Sequence, residues 1–285
     1  MLTVRFLGAG ESLASARVVL RGVPMDLTTS FRSGTGDAPQ AIRTSSWALE
    51  TYSPALDASL REELFCDQGD LDLEGADVPR ALGAVEEWAL QACRAGKKPL
   101  AVGGEHLLSL GMVRALYRCY PDLLVLHLDA HADLREQYAG RRYSHATVMR
   151  RIWEVVGDGG LLQGGIRSGT REEFRMARSR GLLVEGELYR AATRAAEAGR
   201  PVYLTLDIDV LDPATAPGTG CPEPGGPDAR ALFEALYGLR RCLLVGADVV
   251  EVCPKVDPSG ATTILAAKII REVAIMMGAE GESSA

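Results

Sequence analysis

The chain has 285 residues, 47% of them apolar and 24% charged, which fits a folded globular domain and is too apolar for a disordered segment. A formal charge of −7 argues against a nucleic-acid partner. No apolar run approaches the roughly 20 residues of a membrane span, and the N-terminus lacks the basic segment and apolar core of a secretory signal.

In chain order, the first expected strand is the apolar run Val18–Leu20. A helix is expected from Val78 to Ala95, with apolar residues at Ala81, Leu82, Val85, Trp88, Ala89 and Ala92. Strands follow at Leu100–Val102, Leu123–Leu128 and Val202–Leu206. A helix from Asp228 to Leu239 comes next, with Asp228 as its cap after Pro227. A further apolar run opens at Leu243–Val245 and another ends at Asp248-Val249-Val250. A last helix covers Thr262 to Met277. One domain, residues 1–277, is expected, with a flexible tail at 278–285. The strands are apolar throughout and do not alternate, so both faces should be covered. Strands alternating with helices predict an α/β chain with a mainly parallel sheet. The six cysteines are widely spaced with no Cys-x-x-Cys pair, which predicts reduced thiols and a cytoplasmic protein.

All four histidines, His106, His127, His131 and His145, fall within 40 residues of one another. The run Asp129-Ala130-His131-Ala132-Asp133 follows one expected strand, and Asp207-Ile208-Asp209 follows another. His106 follows a third strand, and Glu251 a fourth. Ligands bind beyond the carboxyl ends of parallel strands. Converging carboxylates repel unless cations sit between them. Asp and His together suit manganese, iron, nickel or zinc. Six ligands rich in carboxylate exceed what one tetrahedral zinc needs and fit a metal pair that activates water for hydrolysis.

These motifs, with Gly103-Gly104-Glu105-His106, Ser144-His145, Asp207-Ile208-Asp209-Val210-Leu211-Asp212-Pro213 and Val250-Glu251-Val252-Cys253-Pro254, resemble the ureohydrolase family of arginases and agmatinases. So do Ser30-Phe31-Arg32-Ser33-Gly34, Ala41-Ile42-Arg43 and Ala216-Pro217-Gly218-Thr219-Gly220. The resemblance runs from about Val18 to about Val273 and looks closest to bacterial and archaeal agmatinases. It implies a three-layer α/β/α fold and two Mn2+ per chain. His106, Asp129, Asp133 and Asp207 would hold one ion, and Asp129, His131, Asp207 and Asp209 the other. A hydroxide bridging them would attack the guanidinium carbon. Asp133 would orient it, His145 would shuttle protons, and Glu251 would receive the guanidinium. The implied reaction is agmatine to putrescine and urea, a step of polyamine biosynthesis. The rival substrates are guanidinobutyrate, guanidinopropionate and arginine, and a non-catalytic metal-binding homologue is the rival class. The implied assembly is a trimer or hexamer.

The chain departs from the family pattern at Glu105, Ala146, Cys221 and Asp37-Ala38, and the last three are expected near the pocket. His127 reads as a buried, hydrogen-bonded histidine and not a ligand. Asp212 reads as a turn residue, and Cys221 lacks a neighbouring base to act as a nucleophile. Gly103-Gly104 predicts a tight turn feeding a helix at His106, and Gly218 and Gly220 a sharp turn. Arg32 and Arg43 are expected at the surface or an interface. Glu136 is a candidate partner for a cationic substrate tail.

Overall fold

The computed structural model describes residues 4–10 and 12–279. The strands are β1 (Val18–Val23), β2 (Tyr52–Ser53), β3 (Ala58–Ser59), β4 (Phe65–Asp70), β5 (Lys98–Gly103), β6 (Leu124–Leu128), β7 (Leu161–Gly164), β8 (Leu183–Val184), β9 (Pro201–Asp207) and β10 (Leu243–Val250). The helices are α1 (Ala38–Ser46), α2 (Val78–Arg94), α3 (Leu108–Cys119), α4 (Val148–Val156), α5 (Arg171–Ser179), α6 (Leu188–Glu197), α7 (Ala229–Gly238) and α8 (Ala261–Gly278). Eight strands form one sheet in the order β4-β1-β5-β10-β9-β6-β7-β8, and every pair in it is parallel. β2 and β3 make a separate antiparallel pair.

The apolar runs have the composition that two covered faces require. Leu124, Leu126 and Leu128 of β6 pack with Val202, Leu204 and Leu206 of β9 against α1, α6, α7 and α8. Val125 and Tyr203 point the other way, into a second core with α2, α3 and α4. This is the expected three-layer α/β/α arrangement. Each expected strand lies inside one found here except Leu123–Leu128, which starts one residue before β6, and the two runs at Leu243–Val245 and Asp248–Val250 are one strand, β10. Asp228 caps α7 by accepting the Ala231 N–H at 2.9 Å, and Asp77 caps α2 by accepting the Arg80 N–H at 3.0 Å.

Three expectations are corrected. Arg43 is 1% exposed, not a surface or interface residue. Its Nε lies 2.7 Å from Asp67 and its Nη1 2.5 Å from Asp70, which ties α1 to β4. Gly218 and Gly220 do not have positive φ. They are needed for space: a Cβ on Gly218 would lie 2.7 Å from Thr262 Cβ, and one on Gly220 would lie 2.8 Å from the Arg32 carbonyl. Gly278 ends α8, so the expected tail would begin one residue later; beyond Ala279 that tail lies outside the described residues.

Candidate metal centre

β5, β10, β9 and β6 are the four central neighbours of the sheet, and each delivers polar side chains at its carboxyl end. Two of the turns share one device. Asp129 Oδ1 accepts the His131 N–H at 2.6 Å, and Asp207 Oδ1 accepts the Asp209 N–H at 2.8 Å. Each aspartate thus shapes its own turn with one oxygen and turns the other, Oδ2, inward; that of Asp129 also meets His127 Nε2 at 2.8 Å. Gly104 lets the turn after β5 approach the end of β1, since a Cβ there would lie 2.5 Å from the Val23 carbonyl. That turn places His106 opposite the aspartates.

Two groups of side chains result. His106 Nδ1 lies 3.1 Å from Asp129 Oδ2, 3.3 Å from Asp207 Oδ2 and 3.5 Å from Asp133 Oδ2. His131 Nδ1 lies 2.9 Å from Asp209 Oδ2 and 3.6 Å from Asp129 Oδ1. Asp129 therefore faces one histidine with each oxygen. The atoms of His106, His127, Asp129 and Asp133 lie within 4.8 Å of one another, as do those of Asp129, His131 and Asp209. Asp207 stands with the His106 group through its Oδ2.

Burial opposes charge throughout this cluster. It raises Asp133 and Asp207 well above the ordinary carboxylate value, with Asp129 adding to the first and Asp209 to the second. Asp209 is pushed up to about 6 by burial and by Asp129. Burial also works to raise Asp129, but His127, His106 and His131 outweigh it and hold that carboxyl well below the usual range. Burial works to lower His106 and His131, but their aspartate partners outweigh it and raise both. The cluster holds together only with added positive charge, from protons or from cations.

The donor set suits cations. His106 Nδ1 is buried with no hydrogen-bond partner, although three carboxylate oxygens surround it. Its Nε2 is 2.9 Å from Thr205 Oγ1, which leaves the Nδ1 lone pair for the centre. A metal-binding imidazole is held in this way, with its second nitrogen anchored by another group. Thr205 is backed by Ser109, which donates to Asp248 at 2.6 Å; the Tyr203 hydroxyl donates to the same carboxylate. These buried groups form a polar seam beneath the centre.

Glu251 and His145 complete the walls of a cavity of about 220 Å³ over the aspartates. Glu251 Oε1 accepts the His106 backbone N–H at 2.7 Å, and burial pushes its carboxyl up to about 8. It is therefore no surface ion-pair residue. His145 Nε2 is 3.1 Å from Ser30 Oγ, and its backbone N–H donates to Thr28 Oγ1 at 3.0 Å. Burial pulls the His145 pKa down to about 4. Glu105 explains its place in the motif. It accepts the N–H groups of Leu27 and Thr28 at 2.8 and 2.6 Å and the Thr28 hydroxyl at 2.9 Å, so it fixes the loop that carries His145's partners.

Other expectations divide. His127 is buried and bonded on both ring nitrogens, to Asp129 and to Gln163. Asp212 accepts the Ala214 and Gly225 N–H groups, as a turn residue does. Ala146 and Cys221 line the cavity, and burial pushes the Cys221 thiol up to about 11, unlike a nucleophile. Asp37 does not line it; it pairs with Lys255 at 2.8 Å on the surface. Glu136 also points away, toward Arg150 at 3.6 Å, while the preceding residue, Arg135, lines the cavity. Arg135, Tyr138, Ser168, Thr205 and Gln163 were not singled out in the sequence. None repeats a motif, and only tertiary adjacency brings them here.

A sequence profile of the arginase family matches residues 16–276. An agmatinase of Bacillus cereus is 41% identical over 273 residues, covering 94% of each chain. The structure of a putative agmatinase from Clostridium difficile matches with a TM-score of 0.90 at 38% identity, over 94% of this chain and 99% of that one. The agmatine ureohydrolase of Thermoplasma volcanium matches at 0.87 and 32%, over 97% and 95%. Fold and site define an arginase-type α/β hydrolase with a buried His/Asp centre. The chain belongs to the arginase family. Among the described residues no helix is long and apolar enough to cross a membrane.

Proposed function

We propose that this chain is an agmatinase, hydrolysing agmatine to putrescine and urea. The observation that carries the reading is Asp129, which faces His106 with one oxygen and His131 with the other, beneath a small cavity walled by Glu251. The 41% identity to a named agmatinase supports the substrate. His106, Asp129, Asp133 and Asp207 would hold one manganese ion, and Asp129, His131, Asp207 and Asp209 the other. Such a pair supplies a hydroxide nucleophile near neutral pH and polarises the substrate.

The protein's own groups do the rest. Glu251 binds the guanidinium, whose planar fork of donors matches a carboxylate. Asp133 orients the nucleophile and passes its proton toward the leaving amine. His145, neutral near pH 7 because burial lowers its pKa, exchanges a proton at Nε2, where it meets Ser30. The reading extends to a cytoplasmic homo-oligomer, a trimer or hexamer, which light scattering on the manganese-loaded protein tests.

The deciding experiment is urea release from agmatine, guanidinobutyrate, guanidinopropionate and arginine after metal removal and manganese addition. Agmatine should be the best substrate, and chelation should abolish its turnover. Arg135 at the cavity favours one second reading, a guanidino acid whose carboxylate meets that cation. Preference for guanidinobutyrate over agmatine would select it, and urea from none of the four would overturn the hydrolase reading.

A further inference from the structure

His127 lies within ligand distance of the candidate centre, grouped with His106, Asp129 and Asp133. Distance alone would make it a metal ligand. The hydrogen bonds around it give it another role, and Gln163 of β7 is the residue that decides. Gln163 Nε2 is 2.8 Å from the Ala132 carbonyl and 3.0 Å from His127 Nδ1. A carbonyl only accepts, so the nitrogen end of the Gln163 amide must face Ala132. Turning the amide over would set its oxygen against that carbonyl. The buried Oε1 has no hydrogen-bond partner, so the two bonds at the nitrogen end alone hold the amide.

This orientation fixes the histidine. Gln163 Nε2 donates to His127 Nδ1, so Nδ1 carries a lone pair and the ring proton sits on Nε2. His127 Nε2 is 2.8 Å from Asp129 Oδ2 and donates to it. A nitrogen that carries a proton aimed at a carboxylate has no lone pair for a cation. We infer that Gln163 and His127 are a positioning pair: Gln163 sets the imidazole as an Nε2–H donor, and His127 holds the Asp129 carboxylate in place without being a metal ligand. Gln163 also grips the loop that carries Asp129 and Asp133, through the Ala132 carbonyl. The inference rests on the two-metal reading of the centre, and it adds two residues that act on the metals through Asp129.

Manganese binding to the full-length chain, stripped and reloaded, tests this without measuring activity. His127→Phe keeps a ring but removes the donor, Gln163→Met removes the amide, and His127→Gln restores an N–H near the same place. His127→Phe and Gln163→Met should still take up two manganese ions per chain at saturation. Their affinity should fall about 10- to 100-fold, the usual effect of losing a group that orients a ligand. His127→Gln should bind within a few-fold of the unaltered chain. Saturation of His127→Phe at one ion would make His127 a ligand and overturn the inference. Unaltered affinity in His127→Phe would overturn it as well. Melting of the metal-free variants separates misfolding from lost affinity, and His127→Gln tests the donor even where His127→Phe does not fold. Failure of the unaltered chain to bind two ions would count against the metal-centre reading itself.

Discussion

Asp133 and Glu251 both adopt left-handed backbone conformations, at φ 53° and 63°. Only four non-glycine residues among those described do so, and two of them lie at the cavity. Such conformations cost free energy and persist where the surroundings enforce them. Glu251 is held by the Gly104 carbonyl and the His106 N–H, so its side chain is aimed before any ligand arrives. Glu251→Gln keeps an oxygen for His106 but removes the charge. Metal content should be unchanged, while kcat/KM falls for every guanidino substrate; near-normal agmatine turnover would exclude the guanidinium role. His145→Ala should keep its metals and lose about 10²- to 10⁴-fold in turnover. Parallel loss of both would make His145 structural. Asp129→Asn should lose more metal than Asp133→Asn in elemental analysis, since Asp129 belongs to both groups of metal-capable atoms and Asp133 to one. The six candidate ligands were legible because alternating Asp and His at strand ends is rarely structural. Gln163 and Thr205 were not, because each looks like an ordinary polar residue in an apolar strand. Their meaning comes from β7 and β9 flanking β6, which no local pattern records.

At the scale of elements, visibility followed burial pattern. α2 was legible from one apolar face, Ala81 to Ala92, over a polar one. α3 was legible only as a helix of unstated length after the Gly103-Gly104 turn, because it is buried on nearly every side from Leu108 to Leu116 and so has no stripe to read. β4 was hidden for the opposite reason. It is an edge strand carrying Asp67, Gln68 and Asp70, whose polar side chains serve Arg43 and Trp88. The Arg43 ion pair is therefore what fastens α1 to that edge. Arg43→Leu should destabilise the fold by about 3–5 kcal/mol, because Asp67 would be left buried without its partner. Urea denaturation measures this, and a change below about 1 kcal/mol would contradict it. Arg43→Leu should leave the metal affinity of the remaining folded protein intact, since α1 contributes no residue to the cavity.

For the whole molecule, the charge cluster couples metal to stability through pH. From about pH 7 to about pH 8.5 an unfolded chain has ionised carboxylates and neutral imidazoles. The metal-free folded chain holds more protons: on Glu251 until about pH 8, and on His106 and His131, whose values are raised. Stability of the metal-free protein should therefore fall as pH rises through this window. His145, lowered to about 4, adds nothing there. Cations take the place of those protons, so the gain in Tm on adding manganese should widen toward pH 8.5. Calorimetry of stripped and reloaded protein checks this, and a constant gap would contradict it. The strand order has a further consequence, for synthesis on the ribosome. Among the described residues β10 is the last strand in chain order, yet it lies in the middle of the sheet, between β5 and β9. Until it emerges, the two halves of the sheet have no shared strand, and each presents a bare central edge of the kind that invites aggregation. Glu251 follows directly, so the cavity closes only after β10 has been made. A chain halted before residue 243 should be a substrate for chaperones and proteases, whereas one that extends past Glu251 carries every residue that lines the cavity.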